Sequence, residues 1–87
     1  MKIKEGFILR QVADSNIVVA VGEAVKNFSG VISLNESSAF LWKKLEKGAE
    51  ESELVEALLN EYDVERAIAE RDVKLFIAKL TEGGLLK

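Results

Sequence analysis

Apolar and β-branched residues crowd two short runs early in the chain, FILRQVA at 7–13 and IVVAV at 17–21. Asp14, Ser15 and Asn16 separate them, and three good turn formers between two such runs predict a β-hairpin. Gly22 closes the second run. The segment EAVKNFSG (23–30) fits either a loop or a short irregular strand, with a turn signal at Ser29-Gly30, and VISL at 31–34 predicts a third strand.

From Asn35 onward the apolar spacing changes from two to that of a helix. Ser38, Leu41, Trp42 and Leu45 fall at i, i+3, i+4 and i+7, with Phe40 beside them. The Asn35 side-chain oxygen suits a helix N-cap, and Glu36 follows where negative charge is favoured. Gly48 supplies the stop, with Lys43, Lys44 and Lys47 near the last carbonyls. A second helix is predicted from about 50 to 62, with Leu54, Val55, Leu58, Leu59 and Tyr62 on one face. Its start carries Ala49 where a Ser or Thr cap is expected. Asp63 opens a third helix that ends at Gly83-Gly84, and Leu85-Leu86 is expected to fold back on the core. The order is three strands, then three helices: an α+β layer arrangement similar to a winged helix-turn-helix, with a three-stranded antiparallel sheet.

The third helix is unusually apolar. Ala69, Val73, Phe76, Ile77 and Leu80 make an ordinary core stripe. Ile68, Leu75 and Ala78, with Ala67 nearby, form a second group roughly opposite, with Arg71 and Lys79 among them or at their edge. A helix between two core layers would explain this, as would incidental exposure of single apolar residues or a surface that takes a partner.

Composition narrows the choice. Eighty-seven residues suit one domain spanning 1–87, with 48% hydrophobic and 31% charged residues, the proportions of a globular chain. There is no cysteine and no histidine, which excludes disulfides, thiolate catalysis and the commonest general base and metal ligand. No apolar run approaches a membrane span, and MKIKEGF is no secretion signal, so residence in the cytoplasm is the default. Charge is uneven. Residues 1–45 hold six basic against four acidic side chains and residues 46–87 six against eleven, or +2 and −5 within a net −3.

No catalytic constellation emerges. Ser37 and Ser38 have no base to activate them and read as first-turn residues. The acidic run Glu50-Glu51-Ser52-Glu53 stands at a helix start, where carboxylates are expected structurally. It has no EF-hand spacing, and the scattered glycines form no phosphate loop. No catalytic residue, metal site or cofactor is expected.

The runs ISLNESSAFLWKKLEKG, ELVEALLNEYDV and DVKLFIAKLTEGGLL together resemble the PqqD-like family, also called the RiPP recognition element. The resemblance spans about 7–86. It rests most on Leu34-Asn35, Trp42, Asp72-Val73, Phe76, Leu80, Gly83-Gly84 and Leu85. It implies a non-catalytic peptide chaperone that binds the leader of a ribosomally made precursor peptide and presents it to a modifying enzyme, often a radical SAM enzyme as in pyrroloquinoline quinone biosynthesis. In that family the leader adds as a strand beside the third β-strand and packs against the third helix. Carried over by position, the peptide-binding residues are Val31, Ile32, Ser33 and Leu34 on the strand, and Ile68, Arg71, Leu75, Ala78 and Lys79 on the helix. Proteins of the quinone pathway usually have a Pro-Glu-Gly-like stretch where this chain reads VKNFSG and an aliphatic residue at Trp42, so the leader of another peptide is the expectation.

Two other readings stay open. A winged-helix DNA binder would use the third helix, but Glu65, Glu70 and Asp72 offset Arg66, Arg71, Lys74 and Lys79 there, and nucleic acid favours a basic face. A structural module could pair with a second copy through the same strand edge. Neither nucleic acid nor membrane is an expected partner; a homodimer is possible on this pattern.

Overall fold

The computed structural model describes residues 1–26, 28 and 30–87. Strands β1 (Phe7–Val12), β2 (Ser15–Ala20) and β3 (Ile32–Leu34) form an antiparallel sheet in the order β1-β2-β3. Helices α1 (Glu36–Lys47), α2 (Glu51–Glu61) and α3 (Arg66–Glu82) follow. The three-strand, three-helix order is the one the apolar pattern predicts.

Register explains where the hairpin departs from that pattern. Leu9 lies opposite Val18, and Val18 opposite Ile32, so one face of the sheet carries a continuous apolar row toward the helices. To hold that alignment the chain must reverse at Ala13-Asp14, between the paired Val12 and Ser15. Ser15 and Asn16, expected in the turn, are drawn into β2, and Ala13 takes a left-handed φ of 55°. After β2 the segment Gly22–Lys26 forms a short 3₁₀ helix rather than a loop or strand. Gly30 of the expected Ser29-Gly30 turn takes φ 89°, while Ser29 lies outside the described residues. Val31 falls just before β3.

The helices start and stop for local reasons. Asn35 caps α1, its side chain accepting from Ser38 N at 2.8 Å. Gly48 ends it at φ 96°, donating its N–H to Leu45 O. Ala39 takes the first buried position rather than Ser38. At α2 the missing Ser or Thr cap is replaced by Glu53, whose carboxylate accepts from Glu50 N at 2.8 Å. Helix α3 begins at Arg66 behind Glu65, so Asp63 belongs to the connection and not to the helix start. Arg66 reaches Glu56 at 2.8 Å across α2 and α3.

Trp42, Leu41, Leu45, Leu54, Leu80, Leu85, Val18 and Val73 are the largest fully buried side chains, each contributing about 1.5–3 kcal/mol by its removal from water. They come from β2, all three helices and the tail, so the core lies between the sheet and the helical layer. Leu85 folds back as expected, with its N–H on Leu80 O at 2.9 Å, and Leu86 bridges to Ile3. Among the described residues no helix is long and apolar enough to cross a membrane.

Candidate functional site

Strand β3 is an edge. Strand β2 pairs with one side of it, and among the described residues no strand pairs with the other. The carbonyl of Ser33, at the middle of the strand, points to that open side, where it accepts from Lys79 Nζ at 3.2 Å. Antiparallel alternation directs the Ser33 N–H the same way, while Ile32 and Leu34 turn their polar backbone toward β2. A β-edge with one unpaired residue is thus presented toward α3.

Ile68, Asp72, Leu75 and Lys79 occupy i, i+4, i+7 and i+11 of α3, which sets them in one row beside the core stripe. Leu75 is 63% exposed and Ile68 38%. Asp72, Leu75 and Lys79, together with the buried Phe76, form one wall of a pocket of about 220 Å³. Asn35, Ser37, Ser38 and Leu41 of the α1 entry form the other. The hollow is therefore apolar at Leu41, Leu75 and Phe76 and polar at its rim. Its position follows from the sequence: β3 runs directly into the Asn35 cap, so edge strand and helix entry are covalently adjacent.

The charges at the rim are not equivalent. Arg71 turns to Asp72, with Nη2 to Oδ1 at 3.5 Å. Lys79 has no carboxylate within ion-pair distance among the described residues and spends its donor on a backbone oxygen.

Of the residues expected at the site, Ser33, Leu75 and Lys79 converge. Ile32 and Leu34 flank Ser33, with the Leu34 side chain in the core. Val31 is 58% exposed just before the strand, and Ile68 extends the Leu75 row by two turns. Arg71 and Ala78 are exposed but do not line the pocket. Pocket residues that sequence reasoning did not select are Asn35, Ser37, Ser38, Leu41, Asp72 and Phe76. The helical spacing to Leu75 and Lys79 would have found Asp72.

A larger hollow, about 980 Å³, lies between α1 and α2. Lys43, Lys44 and Lys47 face Glu53, Glu56 and Glu61 across it. It borders no strand edge, so it offers nothing for backbone pairing, and the smaller pocket is the better candidate. Among the described residues no group of three His, Cys, Asp or Glu could hold a metal ion.

The family model described as "Coenzyme PQQ synthesis protein D (PqqD)" matches residues 8–86. Two solved structures are similar over nearly their whole length. One is "TbiB1 in Complex with the TbiA(beta) Leader Peptide", with TM-score 0.79 and 26% identity over 100% of this chain and 95% of that one. The other is "Lasso peptide synthetase B1 complexed with the leader peptide", with TM-score 0.75 and 24% identity over 97% and 93%; at that identity the likeness is one of fold. No curated protein matches. With a match that runs from β1 to the C-terminal tail, the chain belongs to the PqqD family.

Proposed function

We propose that this protein is a non-catalytic peptide-binding adaptor, a single domain over residues 1–87, acting in the cytoplasm. An extended segment of a ribosomally made precursor, its leader, adds to the open edge of β3 as a fourth strand. The adaptor then presents the precursor to a modifying enzyme, of the radical SAM class where the family's quinone branch is the guide.

One observation carries this reading: the Ser33 carbonyl faces an open strand position where it meets Lys79 of α3, one helical turn from the exposed Leu75. Backbone pairing alone is too weak. Each ladder bond contributes about 0.5–1.5 kcal/mol, against an association cost of about 4–15 kcal/mol. Apolar side chains of the leader seated on Leu41, Leu75 and Phe76 supply the rest, at about 1.5–3 kcal/mol for each one fully buried. Both structural relatives named above are complexes with a leader peptide, which supports the same partner class here.

The test is a pair of substitutions on α3. Leu75→Asp should abolish leader binding and leave the circular dichroism spectrum and thermal midpoint nearly unchanged, because Leu75 is exposed. Phe76→Asp, one position on, should unfold the domain, since Phe76 is 4% exposed. A Leu75→Asp variant that binds leader as well as the parent would remove the reading.

A further inference from the structure

The Lys79 ammonium holds the oxygen that an added strand needs. It approaches Ser33 O from the α3 side, at 3.2 Å. A fourth strand must lie on that same side, about 4.8 Å from β3. Arriving backbone and ammonium therefore compete for one place. Once displaced, Lys79 stands at the rim of a hollow floored by Leu41, Leu75 and Phe76, with the nearby Asp72 carboxylate already engaged by Arg71.

We propose, resting on the peptide-binding reading above, that Lys79 selects the leader by exchanging the Ser33 carbonyl for a leader carboxylate. Register places that carboxylate. Paired residues share a face, and Ser33 is exposed whereas the Leu34 side chain enters the core. The leader residue opposite Ser33 thus points outward, and its two neighbours point toward α3. One neighbour fills the pocket against Leu75, and the other meets Lys79. The recognised pattern is a large apolar residue and an Asp or Glu separated by one residue, with the order set by strand direction.

The protein as a whole carries a net charge of −3, so it does not steer an acidic peptide by its overall charge. Selection comes from one cation at one position. The same exchange makes Lys79 a deterrent to peptides that lack the carboxylate, because they displace the ammonium and give it nothing in return.

A set of capped, fluorescein-labelled extended peptides tests this, each carrying Leu-Thr-Glu or Glu-Thr-Leu within a Thr/Val background, alongside the Gln counterparts. Fluorescence anisotropy on the full chain should show the preferred Glu peptide binding about fivefold more tightly than its Gln partner, the scale of an exposed charge pair. Lys79→Met should bring that ratio close to one and tighten the Gln peptide, while Lys79→Arg should keep the preference. Binding that Leu75→Asp abolishes but whose Glu/Gln ratio survives Lys79→Met would overturn the selection role and leave the groove intact. Peptides that bind the parent and Leu75→Asp alike, or not at all, would overturn the groove reading and this one with it.

Discussion

The indole Nε1 of Trp42 donates to Glu46 Oε2 at 3.2 Å, one helical turn further along α1, while the rest of the Trp42 ring is sealed from solvent. The largest side chain of the core thereby keeps its only polar atom satisfied at the core boundary. Trp42→Ala removes the ring and leaves a cavity, at a cost of about 3–5 kcal/mol, a large share of the stability of a domain this size. Glu46→Ala should cost about 1 kcal/mol, and Glu46→Gln less, since the amide oxygen still accepts. Urea unfolding of the three variants checks that ranking.

Asn35 is both the last link out of β3 and the cap of α1. Its Oδ1 accepts from Ser38 N at 2.8 Å and from Ser37 Oγ at 3.1 Å. Asn35→Ala should lower stability by about 1 kcal/mol, with Asn35→Asp close to the parent. The denaturation midpoint should move while its slope does not.

The hairpin holds strain that can be relieved. Ala13 sits at φ 55°, a region that costs an L-residue with a β-carbon about 1–2 kcal/mol and that Asn or Gly enters more readily. Ala13→Asn or Ala13→Gly should raise stability by about 0.5–1 kcal/mol, read as an upward shift of the thermal midpoint.

Partial burial, and then the Glu36 and Glu61 carboxylates, push the Tyr62 phenol above its ordinary value. The fold therefore holds this proton more tightly than the unfolded chain does. The stability linked to it is intact below about pH 10 and is lost as pH rises through the folded value. Tyr62→Phe keeps the edge-on contact with the Phe40 ring at 5.7 Å and should match the parent at neutral pH. Its stability should fall less steeply above pH 10, measured by urea midpoints across the alkaline range.

Much of this architecture can be read in the chain. Periodicity and caps place α1 because Asn35, Trp42 and Gly48 each act locally, and the β1, β2 and β3 runs are apolar enough to be seen. The hairpin turn is misplaced because Asp14-Ser15-Asn16 are the better turn formers, whereas the reversal is decided by Val18 needing Leu9 on one side and Ile32 on the other. That is a tertiary demand with no local signature. The site is legible to the same extent. A helical projection shows that Leu75 and Lys79 are surplus to the core, but only the folded placement of α3 sets these two, and not Arg71 or Ala78, in the hollow at the α1 entry, with Lys79 reaching the Ser33 edge.

A free sheet margin invites runaway stacking of one copy on the next. This margin is only three residues long, and an ammonium crosses its middle acceptor. Short length and a lysine are two of the devices by which natural sheets resist fibril growth. On the β3 side the sheet is thereby guarded against indiscriminate pairing.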